Sequence, residues 1–518
     1  MGHIHNLTHS IATMSTMSIQ DSQESVDALP KSNDMELAHR IPLPASTSTF
    51  FRSSDTLSHL DSTDNPVSSS NSRNILRNMN ESALPPVDKG LRAWSFLAAA
   101  FMIEAIVWGF PNAYGIFLDA YLQDPRYASQ KNAASLLPLI GTLSSGIIYC
   151  SGLFINPIAT RYPQHRRKSM WVGAVLSCGA LFGASYATEI FQLVLLQGVL
   201  YAVGGSLLYQ PCISYMSEWF VARRGMANGI LFAGTAAGGL LLPLALPRLM
   251  SKYGPSKTLR ILAIGTTILL FPLLPFLKGR LPQTRVRIQG PVPRGASGTR
   301  NWMKDKLFWI FLAVNTLQGF GYFIPIIYLP TFANDLHISS SNSAVTLAML
   351  NGASVVGRLS MGYLSDSLNP WILALTTLFT TSVATFILWG VFSHSFAGLL
   401  AFGIAYGSIA GGWSSLWTGF VRPIANDDPA MSTTIYGYLL LTRGVGNIMS
   451  APISAALYSQ SHNITGSPER TGFDVGDGRF EKMIIYVGTC FAGAAGVAAL
   501  GLTMDARKGR QTGNQNSE

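Results

Sequence analysis

Charge is what this 518-residue sequence has least of. Asp, Glu, Lys and Arg together make up 12% of it, about half the share in a soluble domain. Many of those charges fall in the first ninety residues and in one central basic segment, so the remainder is barer still. That excludes a water-facing surface along most of the chain. Cysteine is also sparse. Cys150, Cys178, Cys212 and Cys490 are scattered, with no Cys-x-x-Cys and no Cys/His spacing suited to zinc. Neither a disulfide framework nor a metal site is indicated, and buried inert thiols are the reading. His3, His5 and His9 read as residues of a polar tail rather than as metal ligands. The glycine tract Gly234-Thr-Ala-Ala-Gly-Gly239 lacks the strand and the Lys-Ser/Thr of a phosphate loop, so no nucleotide or other cofactor is expected. No apolar core with a cleavage site follows Met1, so no cleaved signal peptide is expected.

What is present is a succession of apolar runs, each long enough to cross a bilayer core at roughly 20 residues. The first half gives six, at 93–118, 133–157, 169–187, 190–213, 225–248 and 258–277. The second gives six more, at 307–333, 343–364, 370–391, 396–420, 432–458 and 481–504. The fold class is therefore all-α integral membrane, with twelve transmembrane helices in two six-helix halves. The expected divisions are a disordered cytosolic tail (1–90), an N-terminal half (91–277), a basic cytosolic linker (278–306), a C-terminal half (307–505) and a short cytosolic tail (506–518). The even-numbered connections hold Arg161, Arg166, Arg167, Lys168, Arg223, Arg224 and the basic linker, which places both termini inside. Lys252, Lys257 and Arg260 run against that trend. Asn463-Ile-Thr465 then lies outside and is a glycosylation acceptor by pattern. The basic residues flank apolar runs and do not form an aromatic-interleaved patch, so nucleic acid is not an expected partner.

Two halves about a linker suggest a carrier with its substrate site between them, near the midplane. At the fourth-to-fifth junction the chain reads Glu218-Trp-Phe-Val-Ala-Arg-Arg-Gly-Met-Ala-Asn-Gly, continuing to Ala233 and Gly234. Trp219, Phe220, Arg223, Arg224, Met226, Ala227, Gly229, Ala233 and Gly234 resemble the signature of the monocarboxylate porter branch of the major facilitator superfamily, closest to its fungal members. Gly362-Tyr-Leu-Ser-Asp366 resembles the superfamily's Gly-x-x-x-Asp loop motif, and Asn156 and Thr160 mark a degraded first copy. The likeness covers residues 90–505. It implies a substrate-coordinating arginine at Arg358, in Arg-Leu-Ser-Met-Gly362. It also implies an acid one turn earlier and a lysine after Phe110-Pro111 in animal members. Here those places hold Ser354 and Asn112, which argues against simple lactate–proton cotransport.

Ionisable groups inside spans are costly and so are functional candidates. Arg358 could hold a carboxylate, or brace the cytoplasmic loop through Asp366. Glu104 could carry a coupling proton or make an interhelical hydrogen bond. Arg443 could pair with substrate or with another helix. Asn315, Gln318 and Tyr322 share one helix face and could line the cavity or join helices. Asn112 completes the substrate-binding candidates. Small residues such as Gly403, Gly407, Gly411 and Gly412 read as helix-packing positions.

The function expected is a secondary transporter for a small organic solute, a carboxylate or a secondary metabolite. It would work by alternating access, with protons as a candidate coupling ion and metabolite efflux as the favoured role. The alternatives are a non-transporting nutrient sensor, and import of a monocarboxylate or vitamin-like compound. A membrane enzyme is disfavoured, because His394 has no acidic or cysteine partner at helical spacing. The plasma membrane is the expected location, with the vacuolar membrane second.

Overall fold

The computed structural model of the protein describes residues 84–281, 302–425, 429–458 and 471–515. Most of the sequence-expected tail and linker, and the acceptor Asn463, lie outside the described residues. Among the described residues, nine helices are long and apolar enough to cross a bilayer. One of them, Arg224–Phe276, has 53 residues, too many for a single crossing of a ~30 Å core. It breaks at Gly254, where φ is 75°, and Pro255 follows. A left-handed glycine ends one helix and a proline opens the next. The sequence reading placed a loop at 249–257 here, and the structure replaces it with this kink. Two less apolar helices, Arg166–Ala184 and Pro429–Leu457, complete twelve spans. The first opens on three basic residues, and the second carries Arg443 and a ladder of hydroxyls on its buried side.

The first half comprises α1 (Leu91–Gln123), α2 (Ala133–Cys150 continued by Gly152–Arg161), α3 (Arg166–Ala184), α4 (Ile190–Trp219), α5 (224–253) and α6 (255–270). The second comprises α7 (Lys306–Asp335), α8 (Ser340–Leu364), α9 (Pro370–Phe392), α10 (Phe396–Ala425), α11 (Pro429–Leu457) and α12 (Glu481–Gln515). Within halves, α5 packs on α1, α3 on α4, α8 on α10, and α7 on α11 and α12. Between halves the main seams are α5 with α8 and α2 with α11, and α1 also meets α7.

Burial is reversed relative to a water-soluble protein. Phe154, Phe191, Leu241, Phe379 and Leu500 are exposed, whereas Asn112, Asn228, Asn315, Asn351 and Asn447 are buried. Lipid covers the first set, so helix association rests on close packing and on hydrogen bonds between helices. The α5–α8 seam shows both. A Cβ on Gly229 would lie 2.9 Å from the Arg358 carbonyl oxygen, and one on Gly362 would lie 2.8 Å from the Gly229 Cα. Only glycine permits two backbones to approach this closely.

Candidate functional site

At mid-depth two arginines from the second half meet at one tyrosine. Arg358, on α8, is 4% exposed. Its Nε donates to the Gly411 carbonyl at 2.9 Å, one Nη to the Phe232 carbonyl of α5, and the other Nη to Tyr322 Oη at 3.3 Å. The Gly411 acceptor exists because α10 is interrupted. Its first segment stops at Ala410 and its second starts at Trp413. The Ser415 amide bonds to Gly412, which leaves the Gly411 oxygen for the guanidinium. The paired glycines thus do more than permit close packing. The brace to Asp366 is not formed, because Asp366 accepts from the Gly225 and Met226 amides at 3.1 Å each.

Arg443, on α11, donates from Nη1 to Gln318 Oε1 at 2.8 Å. Its guanidinium carbon lies 4.1 Å from the Tyr322 ring centroid, 5.6 Å from that of Tyr149 and 5.9 Å from that of Trp417. Such cation–π contacts partly replace the lost hydration. Tyr322 therefore touches both cations, one through its hydroxyl and one through its face. Among the described residues neither guanidinium has an ion pair.

Glu104, on α1, is fully buried, and neither carboxylate oxygen has a hydrogen-bond partner among the described residues. The interhelical hydrogen bond expected as one alternative is therefore not made. Its Cβ packs on Gly234 of α5, and the Arg358 guanidinium is within electrostatic reach. Four buried donors around this layer are also unpartnered: Trp108 Nε1, Gln318 Nε2, Trp417 Nε1 and Arg443 Nε. Native structures leave few such groups orphaned. Two cations and three further free donors against one carboxylate form a layer suited to acceptor-rich, negatively charged matter.

The other sequence candidates divide. Gln318 and Tyr322 join the arginine pair. Asn315 is engaged within its own half: its Nδ2 donates to Leu439 O and Thr442 Oγ1 and its Oδ1 accepts from Trp413 Nε1, each at 2.8 Å. Asn112 donates to the Thr235 carbonyl at 2.8 Å, tying α1 to α5. Ser354 donates to Leu350 O and Gly407 O, both at 3.0 Å. An ionised acid in that place would face two carbonyl oxygens, so the relay position is built for a hydroxyl.

The first part of the signature, Trp219 to Arg224, lies at the face that the lysine and arginine count assigns to the cytoplasm, and its last residues, to Gly234, reach the central layer. Trp219 Nε1 donates to Lys278 O at 2.8 Å, and Phe220 packs edge-on against Trp94 at 5.8 Å. Arg223 is exposed. Arg224 is not: it is 1% exposed and donates to Ser432 Oγ of α11 at 3.0 Å. It bridges the halves, although the sequence reading counts it among the basic loop residues. One turn on, Asn228 Nδ2 donates to Thr418 Oγ1 at 2.8 Å and Tyr436 Oη at 2.6 Å. Asp88 also engages this turn, accepting from the amides of Val221, Ala222 and Arg223.

Sequence reasoning missed Tyr149, Trp417 and Trp108, because an aromatic within an apolar run looks the same whether it faces lipid or a cation. It also missed Asp88 and the Asn228–Thr418–Tyr436 cluster. Polar residues recurring in apolar runs were the available signal for the cluster.

Comparison with known proteins agrees with this architecture. The family model described as Major Facilitator Superfamily matches residues 86–451. An MFS transporter of Aspergillus flavus, asaE, is 27% identical over 81% of this chain and 90% of its own length. The aspyridones efflux protein of Emericella nidulans, apdF, is 27% identical, covering 73% of this chain and 74% of its own. A bacterial homolog of the human lysosomal transporter Spinster, solved inward-facing and unoccupied, superposes with a TM-score of 0.54 at 14% identity, covering 80% of this chain and 97% of that one. Residues 86–451 span ten of the twelve helices and most of the eleventh, and with them both arginines and the seams between the halves: this chain belongs to the major facilitator superfamily.

Proposed function

We propose that the protein is a secondary transporter that carries an acceptor-rich organic anion, such as a carboxylate or an acidic secondary metabolite, out across the plasma membrane. The supporting observation is the pair of buried guanidiniums at Tyr322, neither of which has an ion pair among the described residues. A buried cation left unpaired is expensive, and an anionic substrate supplies the missing charge in a bidentate geometry. Gln318 and the free indole N–H groups of Trp108 and Trp417 add donors for further oxygens.

Alternating access follows from the two seams. Substrate bound between Arg358 on α8 and Arg443 on α11 contacts α1 and α5 through Glu104 and Phe232, so both halves close on it. Glu104 is the coupling group in this reading. Ionised, it competes with the substrate for Arg358. Protonated, it releases that charge, so proton and anion bind together. A cell that synthesises the acid supplies the outward gradient, as the name of the aspyridones efflux relative suggests for that protein.

The test is counterflow in proteoliposomes, with panels of aliphatic carboxylates, aromatic carboxylates and acidic enols. At least one class should exchange, with affinity that strengthens as pH falls, and Glu104→Gln should abolish the pH dependence. No exchange of any anion, with or without a pH gradient, would sink the proposal.

A further inference from the structure

Away from the central layer, a cavity of about 920 Å³ lies at the cytoplasmic ends of α7, α9, α10 and α12. Its floor is aromatic. Phe311 and Phe420 stack with centroids 3.7 Å apart, and Trp371 meets Phe420 edge-on at 4.9 Å. Its rim is basic: Lys304 and Lys306 come from the start of α7, and Arg507 and Lys508 from the end of α12. Asp305 and Asp505 are the acids of the lining. Asp305 is already engaged, capping the Leu307 amide at 3.0 Å and pairing with Lys508 at 3.2 Å.

From this we infer a structural lipid site: the cavity binds the headgroup of an anionic phospholipid of the cytoplasmic leaflet. Three observations select that occupant. The rim stands at the headgroup level, because it joins the basic ends of membrane-spanning helices. Cations outnumber acids, and basic hollows between spans on the cytoplasmic side suit anionic headgroups. Exposed apolar side chains flank it: Trp309, Leu368 and Ile372 are 47%, 51% and 51% exposed, a surface for acyl chains. The linker segment 282–301, which leads into this rim, carries Arg285, Arg287, Arg294 and Arg300 and no acid, so like charge disfavours it as the filling.

The bound lipid would join the first helix of the second half to the last. Native mass spectrometry of the full chain, extracted from vesicles of phosphatidylcholine with and without phosphatidylinositol, tests this. Wild type should retain phosphatidylinositol. The variant Lys304→Gln/Lys306→Gln/Arg507→Gln/Lys508→Gln should retain it roughly tenfold less or weaker still. Lys304→Arg/Lys306→Arg/Lys508→Arg should bind like wild type, and all three should unfold at one temperature in phosphatidylcholine alone. Equal retention by the neutralised variant overturns the inference. So does displacement of the lipid by millimolar inorganic phosphate, which would make the site one for a soluble anion. Retention seen only after removal of the acidic tail (1–83) overturns it too, by making the tail the occupant.

Discussion

The two seams between the halves are built from pseudo-equivalent parts but close differently. On the α5–α8 seam the loop motif is intact. Gly362 lets α8 touch α5, and Asp366 accepts from two amides at the start of α5. On the α2–α11 seam the corresponding stretch runs from Asn156 to Thr160, which stand where the intact copy has Gly362 and Asp366. Mid-seam packing is tight there, since a Cβ on Gly444 would lie 2.7 Å from the Gly146 carbonyl. Toward the end that carries the basic loops the helices part around a cavity of about 170 Å³ between Gly152, Asn156, Thr433 and Gly437. The intact copy of the motif thus marks a helix end that closes backbone to backbone, and the degraded copy marks one where a cavity remains between the helices. The central arginines divide between the seams. Arg358 stands on the α5–α8 seam and bonds across it to Phe232, whereas Arg443 stands on the α2–α11 seam, bonds to Gln318 of its own half and meets the ring of Tyr149 on α2 across the seam.

Removing Arg358 should have the largest effect. Its three hydrogen bonds, each worth about 1.5–3 kcal/mol to a charged group, span both halves. Arg358→Ala should reduce the initial rate of counterflow by more than ~100-fold, by that same arithmetic. Arg443→Ala, which removes the bond to Gln318 and the contacts with the Tyr149, Tyr322 and Trp417 rings, should cost less. Equal losses would remove the distinction between the seams.

Next comes a pair of matched substitutions. In Gly362→Ala the new Cβ would meet the Gly225 carbonyl oxygen at 2.7 Å, whereas in Gly437→Ala the nearest atom is Asn156 Nδ2 at 3.7 Å. The first should hold the cytoplasmic side open, raising thiol labelling of a cysteine placed at Ser415 in a background without native cysteines. The second should leave labelling unchanged and add a few tenths of a kcal/mol of stability, up to ~1 kcal/mol, as glycine-to-alanine changes in helices do. Blocked closure in both would mean that the looser seam has no slack.

Tyr436→Phe should be milder. It deletes the hydroxyl that accepts from Asn228 and bonds Thr418, a loss of about 1 kcal/mol. The open-to-closed balance in the same labelling assay should shift by about fivefold, the factor that energy corresponds to. No shift would place the cluster outside the closing contact.

The smallest expected change is at Asp366. Burial pushes its carboxyl up from the ordinary value, against the lowering by the Met226 and Gly225 amides. The closed contact therefore holds the proton more readily than the open one. Closure gains from this at pH values below the ordinary carboxylate range and loses the gain as pH rises through the raised value. Asp366→Asn, which removes the titrating proton and keeps one of the two acceptor oxygens, should flatten that pH dependence in the labelling assay. A steeper dependence in the variant would contradict the sign.

Much of the fold was legible beforehand. Span positions follow from local hydropathy, a property of roughly 20 consecutive residues, and Arg358, Arg443 and Glu104 stood out because charge in hydrocarbon is costly. The kink at Gly254 was misread as a loop, because a glycine–proline step ends a helix with or without a linker after it. Of the two readings of Arg358, the brace through Asp366 is the one that the structure does not form. Spacing along one helix brings the two near each other, but the guanidinium is taken up by a carbonyl that exists only because α10 breaks at Gly411.

The sequence by itself determined the membrane class, the two six-helix halves and the few ionisable residues inside them, since each depends on solvent preference over short stretches of chain. Tertiary structure alone decided that Arg358 and Arg443 share Tyr322, that Glu104 stands near Arg358 with no hydrogen bond among the described residues, and that Asp366 caps a helix of the other half. These pairs are separated by dozens to hundreds of residues. Their meeting depends on which helices pack, and in lipid that is set by small residues and hydrogen bonds between faces rather than by hydropathy.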